Sequence, residues 1–246
     1  MFKKIKILLM GILILLFVFS VSVSGNDSFN NINCNKSIFF DGKIISVKYK
    51  KTVSNNALKF HIYTDENNNE YIFKDGKEYI AAIRYLRNYN NYLESDFISK
   101  DNAQMIANNY IKENFSKTNS YTFCNAKYIE DTQIMNFEYS NFVRNYKTSD
   151  IISISIDKYG NIVSVVAPNQ GLFYNDNLSI DDSKLNNIFI YTINEKYNTI
   201  INYTIVDKYI AKDELGNNIM SYVAKIKYLD GSDESETLDT INAPLQ

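Results

Sequence analysis

Histidine and cysteine, which often supply bases, nucleophiles and zinc ligands, are scarce in this chain of 246 residues. His61 is the one histidine, and Cys34 and Cys124 are the two cysteines. A Ser-His-Asp or Cys-His site would have to use His61, and no G-x-S-x-G elbow supplies a serine. One histidine and two distant cysteines also match no zinc-ligand spacing. Because His61 alternates with Phe60 and Ile62 in strand-like sequence, we interpret it as structural and predict no catalytic residue.

Two polar stretches are candidates for a cation site. DENNNEYIFKDG (65–76) begins like an EF-hand loop, but Glu70 stands where the sharp turn needs glycine, and Gly76 stands where the twelfth-position glutamate belongs. We interpret it as a hairpin turn. We interpret DGSDESE (230–236) as a solvated charged turn. Nothing singles out a carboxylate pair for glycoside hydrolysis. We therefore predict no metal site and no cofactor.

The N-terminus is typical of an exported protein. Three lysines within the first six residues precede Ile7–Val23, a stretch of 17 residues without a charge. Val23 and Gly25 are small residues at the −3 and −1 positions of a cleavage site. We predict a signal peptide at 1–25 and a secreted or cell-surface protein. The alternative is a retained membrane anchor, because this stretch is only just too short to span a bilayer.

Composition narrows the class of partner. Loss of the three signal-peptide lysines changes the net charge from −2 to −5. With no basic run to neutralise phosphates, we predict no nucleic-acid partner, and membrane association only through an uncleaved N-terminal segment. The abundance of Asn, Ile, Lys and Tyr is typical of an AT-rich genome and predicts a low-GC bacterium.

The two cysteines permit one disulfide in an exported chain. A Cys34–Cys124 bond would close a loop of about 90 residues and stabilise the fold by ~4 kcal/mol. The alternative is a buried thiol at Cys124, inside the apolar run YTFCNAKYI, with Cys34 in a disordered start. The sequence leaves both possibilities open.

Two amphipathic helices are predicted 82 residues apart, at 98–115 and 178–197. Ser99 is the predicted N-cap of the first, and Ser179 and Asp182 have the spacing of a capping box in the second. The apolar face of the first helix contains Ala103, Ile106, Ala107, Tyr110, Ile111 and Phe115. The corresponding residues of the second are Leu185, Ile188, Phe189, Thr192, Ile193 and Tyr197. Their steps of three and four indicate one buried face for each helix.

Most of the remaining sequence predicts antiparallel strands. KIISVKY (43–49) and LKFHIYT (58–64) alternate apolar and polar residues, and Asp75-Gly76 predicts a hairpin. EYIAAIRYLRNY (78–89) fits either a strand or a helix. Each predicted helix precedes a K-Y-I segment and an I-M-x-aromatic segment, which indicates an internal duplication. Alternation at 152–157 predicts a sheet with one apolar face, which the preceding helix covers.

We therefore predict an α+β fold of tandem small units, each one helix packed on an antiparallel β-meander, preceded by an N-terminal β-hairpin region. The predicted boundaries are 1–25 for the signal peptide, 26–97 for the β-rich segment, 98–172 for unit 1 and 173–246 for unit 2. A single unit of this size would be only marginally stable by itself, so we expect the two units to pack together.

The segments ISKDNAQMIANNYIKENF and IISISIDKYGNIVSVVAP resemble a PepSY-type domain, in which a helix that opens with Ser/Thr and acidic residues precedes strands joined by a D-x-x-G-x-I/V hairpin. Asp157, Gly160, Ile162 and Val163 fill this hairpin. The resemblance covers 98–168 and extends loosely over 178–246, where Leu and Phe replace the alanines and we assign no D-x-x-G spacing.

PepSY domains occur in metalloprotease propeptides and are associated with restraint of extracellular peptidases. The family has no catalytic residues. The resemblance thus implies a secreted, non-catalytic module that binds an extracellular protein, with a peptidase as the candidate class. The 20 tyrosines support an alternative, a cell-wall or glycan-binding surface protein that uses aromatic stacking.

Overall fold

The computed structural model describes residues 35–40, 43–55, 58–86, 97–115, 121–167, 171–173 and 178–245. The predicted signal peptide and Cys34 lie outside these residues. The strands are β1 (Asn35–Phe40), β2 (Lys43–Asn55), β3 (Leu58–Thr64), β4 (Glu70–Lys74), β5 (Ile80–Arg84), β6 (Tyr121–Ile129), β7 (Ile134–Val143), β8 (Tyr146–Asp157), β9 (Ile162–Val166), β10 (Ile200–Lys212), β11 (Asn218–Asp230) and β12 (Asp233–Pro244). The α-helices are α1 (Lys100–Asn114) and α2 (Asp182–Lys196). Neither helix in this described part is long and apolar enough to cross a membrane.

The predicted fold class is wrong, because the strands form a large mixed sheet and not tandem helix-on-meander units. Hydrogen bonds connect them in the order β1-β2-β3-β4-β5-β9-β8-β10-β11-β12, with β7 on β8 and β6 on β7. The pairing of β8 with β10 is parallel and the other described registers are antiparallel. The physical reason is that a strand edge carries unpaired N–H and C=O groups. The edge of β9 satisfies them by pairing with β5, which comes from the N-terminal segment.

The chain divides into two compact units. Unit 1 contains the residues up to Ser140 and Ile151–Leu172, and unit 2 contains Asn141–Asp150 and the residues from Phe173 onward. In unit 1, β1 to β5 bury apolar side chains on both faces of the sheet. The hairpin predicted at Asp75-Gly76 is confirmed, since β4 and β5 pair across this turn. Within the ambiguous segment 78–89, Ile80–Arg84 form the strand β5.

Helix α1 of unit 1 begins where its predicted N-cap indicates. The Ser99 hydroxyl accepts a hydrogen bond from the backbone N–H of Asn102 at 3.2 Å, which confirms the predicted N-cap. The helix packs on β7, β8 and β9, and Ile152, Ile154 and Ile156 beneath it are fully buried. Each such isoleucine contributes ~1.5 to 3 kcal/mol of transfer free energy. The apolar alternation of β8 thus selects the sheet face that α1 covers.

Helix α2 of unit 2 also has 15 residues. Its N-cap is Asp181, whose carboxylate accepts from the backbone N–H of Lys184 at 3.1 Å, so the predicted cap at Ser179 is wrong. The helix buries Leu185, Phe189 and Ile193. The ring of Phe189 lies 4.9 Å from that of Tyr222 on β11. The apolar face of α2 therefore packs on the sheet of unit 2.

Three tight turns in the structure share one hydrogen-bond pattern. Asp157 accepts from the backbone N–H groups of Tyr159 and Asn161 at 2.9 Å each. Asp65 and Asp213 make the same bonds in their own turns, each to the second and fourth residues that follow. The third residue after each aspartate has a positive φ; these residues are Asn68, Gly160 and Gly216. We expected no D-x-x-G spacing in the segment 178–246. This was wrong, because Asp213 and Gly216 have that spacing between β10 and β11.

Candidate functional site

His61, the one histidine, lies in a hydrogen-bonded chain in unit 1. Its Nδ1 is 2.9 Å from the Thr52 hydroxyl, and its Nε2 is 2.9 Å from a carboxylate oxygen of Asp75. The Thr52 hydroxyl also lies 2.8 Å from the hydroxyl of Tyr49. The hydrogen bond from His61 is the main reason why the pKa of Asp75 lies below its ordinary value. These bonds connect β2, β3 and the turn after β4.

Cys124 lies on β6 and its side chain is exposed. Its thiol donates to the carbonyl oxygen of Thr122 at 3.4 Å. The alternative of a buried Cys124 thiol is therefore wrong. The apolar run around Cys124 forms a strand that pairs on one side with β7 and leaves four consecutive side chains exposed. The Cys34–Cys124 disulfide stays a prediction, since Cys34 lies outside the described residues.

The acidic segments use their carboxylates within the sheet and its turns. Asp65 accepts from the N–H groups of its own turn, which connects β3 to β4. In the other segment, Glu236 pairs with Lys225 at 2.9 Å, and Glu234 pairs with Lys227 on the same neighbouring strand. Within the part of the chain that the structure describes, no group of three or more His, Cys, Asp or Glu side chains is placed to hold a metal ion.

A cluster of charged and aromatic side chains in unit 2 joins α2, the start of β8 and the middle of β10. The carboxylate of Asp182 accepts from the Tyr146 hydroxyl and from the ammonium of Lys208 at 2.7 Å. These two bonds, that of Lys208 first, hold the pKa of Asp182 below its ordinary value. Beside this group, the ammonium of Lys147 on β8 forms an ion pair with the carboxylate of Asp207 on β10 at 2.7 Å. The cluster therefore fixes where β8 meets β10.

The edge of β10 is open beyond this cluster. Strand β8 pairs with β10 through Thr148 and Ile210, and among the described residues no strand lies beside Ile200–Val206 on the side away from β11. We call Ile200–Val206 the open edge. Six consecutive residues, 201 to 206, have exposed side chains, and Val206 is 54% exposed. Its side chains are thus accessible to another molecule, and on this side its backbone has no strand partner in the described part of the chain.

The sequence of the open edge is IINYTIV, which contains no charge, no proline and no glycine. Strand β12, at the other side of the same sheet, is an edge strand of the opposite kind. It contains Asp233, Glu234, Glu236 and Asp239 within its 12 residues. Charges on an edge strand discourage pairing with other chains, whereas a flat uncharged edge permits it. Sequence reasoning missed the open edge, although a seven-residue uncharged run of high β-propensity is a signal for it.

Comparisons with known proteins place the chain in no family. No family model matches it, and no curated protein matches it. One solved structure with some similarity is the Bacillus megaterium YpeB C-terminal domain, which is 11% identical. The match covers 81% of this chain and 89% of that chain at a TM-score of 0.38. At this TM-score we infer neither fold nor function from it, and the PepSY resemblance stays a prediction from sequence.

Proposed function

We propose that this protein is an exported, non-catalytic module that binds an extracellular polypeptide by adding a strand of that polypeptide to the open edge of β10. The observation that carries the proposal is the open edge itself. Unpaired backbone groups provide affinity in strand addition, and the side chains at alternate positions provide specificity. An uncharged partner strand fits best, because a buried charge would meet no opposite charge along Ile200–Val206.

The geometry of β10 supports a site of limited length. The pairing of β10 with β11 has a register shift at each end of the open edge, between Ile200 and Asn202 and between Ile205 and Asp207. Such bulges increase the local twist and re-aim the strand. The Lys147–Asp207 ion pair closes one end, because β8 begins there. A partner strand of about six residues would fill the edge at the usual ~3.3 Å per residue.

The proposed partner is an extracellular peptidase. Export follows from the predicted signal peptide, and the PepSY resemblance favours an extracellular peptidase. The alternative of a wall- or glycan-binding protein draws on exposed tyrosines, of which Tyr191 is 63% exposed. A pull-down on purified cell-wall material provides the discriminating measurement. Retention there without any effect on peptidases would favour the alternative.

The test combines peptidase activity with a map of the contact. Purified protein is incubated with the peptidases secreted by its source, and peptide hydrolysis and complex formation are measured. We expect inhibition, together with slower amide hydrogen exchange at residues 200–206 in the complex. Unchanged hydrolysis and no complex would remove the peptidase proposal. Protection confined to other strands would remove the open edge as the site but keep protein binding.

A charge substitution isolates the edge. Ile201→Lys combined with Val206→Lys places two lysines on exposed positions, so we expect the fold to tolerate both. The double variant should weaken the complex at least tenfold, which corresponds to about 1.4 kcal/mol. Leu238→Lys on β12 is the matched control for Val206→Lys alone, because each adds one lysine at an exposed apolar residue of a strand. Equal weakening by the control would contradict the proposed site.

A further inference from the structure

A cavity in unit 1 collects positive charge from two separate segments of the chain. It has a volume of about 360 Å³, and its lining includes Lys36 of β1, Lys74 at the end of β4 and Lys77 in the following turn. We call it the lysine cavity. This volume is within the range of small-molecule sites. Lys74 and Lys77 are three residues apart, and Lys36 comes from a distant part of the sequence.

The lysine cavity has an aromatic floor that holds one of its charges in place. The ammonium of Lys36 lies 3.9 Å from the centroid of the Phe73 ring, within the range of a cation–π contact. Phe73 is buried and makes an edge-to-face contact with Tyr63, with 5.5 Å between the ring centroids. The ring of Phe73 is thus fixed by the core, and Lys36 is oriented by a rigid surface.

The charges of the three cavity lysines are not neutralised by neighbours. In the described residues none of them has a carboxylate oxygen within 4.0 Å, whereas Lys50, Lys147 and Lys208 each form an ion pair. The neighbouring Asp75 accepts from His61, and Glu78 is the one acidic residue of the lining.

The charge surrounding the cavity is net positive. The three lysines of the lining against the one carboxylate of Glu78 give a local charge of +2, in a chain whose net charge is −2.

We infer that the lysine cavity binds the phosphate group of a small organic phosphate. Lysine ammonium groups bind phosphate as point charges and hydrogen-bond donors. His61 forms a wall of the cavity and not a donor, since both ring nitrogens already have partners. The cavity is larger than one phosphate needs, and the buried ring of Phe73 provides an apolar surface for the carrier of that phosphate. This inference is independent of the open edge, which lies in unit 2.

The test is a titration of the purified protein with glycerol phosphate, followed by backbone amide NMR shifts at constant ionic strength. Binding should shift the amides of residues 74 to 77 in a saturable way. Glycerol, added at the same ionic strength, and sodium chloride, added alone in a separate titration that raises the ionic strength, are the controls, and neither should reproduce these shifts. Inorganic phosphate should shift the same amides but with a higher dissociation constant, because it lacks the organic carrier. Shifts that appear equally with sodium chloride, or that never saturate, would overturn the inference.

Paired variants separate the cavity from general electrostatics. Lys36→Gln combined with Lys77→Gln should raise the dissociation constant for glycerol phosphate at least tenfold. Lys43→Gln combined with Lys100→Gln removes the same charge from exposed positions of unit 1 outside the cavity lining, and it should change the constant less than about twofold. Equal effects of both pairs would mean that the anion responds to net charge and would refute a built site. The wild-type titration decides the question even if a variant fails to fold.

Discussion

Replacement of Asp157 by alanine should destabilise unit 1 by about 3 kcal/mol. The carboxylate of Asp157 is buried, with 5% of its surface exposed, and one of its oxygens accepts from the N–H groups of Tyr159 and Asn161. Loss of this acceptor leaves two half-buried backbone donors without a bond that defines the turn. Each lost bond of this kind costs about 1 to 3 kcal/mol, which gives the expected sum.

Urea denaturation measures the loss, with amide exchange at Ile154 and Ile156 to assign it to unit 1. Asp157→Asn is the conservative control, because its amide oxygen can still accept both backbone bonds, and it should retain most of the stability. Asp213→Ala removes the same pattern of bonds from an exposed turn, where water replaces the carboxylate. It should therefore have a smaller effect. If Asp213→Ala destabilises the protein as much as Asp157→Ala, burial is not the reason for the importance of Asp157.

Three further predictions concern glycine, the core and pH. Gly160→Ala should lower the free energy of unfolding by at least ~1 kcal/mol more than Gly216→Ala in urea melts. Both glycines have φ near +85°, but a Cβ at Gly160 would lie 3.3 Å from two isoleucine side chains, whereas a Cβ at Gly216 would have no atom within 4 Å. Phe189→Ala should lower the stability of unit 2 by ~3 to 5 kcal/mol, because this ring is fully buried; a loss below 1 kcal/mol would contradict the packing. Asp182 and Asp239 have pKa values below the ordinary one, so their contribution to stability is present above pH ~4 and is lost as the pH falls through the lowered values. Asp182→Asn should therefore reduce the fall in melting temperature between pH 5 and pH 2. An unchanged fall would refute the assignment.

The pKa of Asp239 illustrates how such shifts arise. Burial alone raises it, but the hydrogen bonds from Lys196 at 2.7 Å and from the Tyr197 hydroxyl at 2.6 Å outweigh burial. Asp239 thereby connects the C-terminal end of α2 to β12, as Asp182 connects its N-terminal end to β8 and β10. Both ends of α2 depend on ionised carboxylates, which is why we expect acid to loosen this helix first.

Local elements could be predicted from the sequence because their determinants are local. Ser99 caps α1, and the apolar steps from Ala103 to Phe115 identify its buried face. The cap of α2 was misplaced because Ser179, Asp181 and Asp182 all have side chains that can accept from backbone N–H groups, and the pattern does not rank them. Burial of Cys124 was wrong because an apolar run predicts a strand but not whether that strand lies at an edge.

Strand pairing could not be predicted, because partners far apart in sequence leave no local trace. Nothing in the sequence of β5 indicates that Ala82 lies beside Val166 of β9. The described parallel backbone pairing of β8 with β10 consists of one residue pair, Thr148 and Ile210. The candidate sites have the same origin. The open edge exists because β8 begins opposite the middle of β10, and the lysine cavity exists because the side chain of Lys36 on β1 reaches Phe73 on β4.

The two edges of the unit 2 sheet differ in a way that folding alone does not require. Both β10 and β12 pair with β11 over nearly their whole length, so β11 is satisfied on both sides. Lysines of β11 then pair with glutamates of β12, which keeps charge on that outer strand. No corresponding charge protects Ile200–Val206, although Val206, which is 54% exposed, is a position where a charged side chain could stand. An uncharged edge strand exposes the protein to unwanted association. The open edge avoids that cost when a partner strand pairs with it, and this is why we interpret it as a binding site.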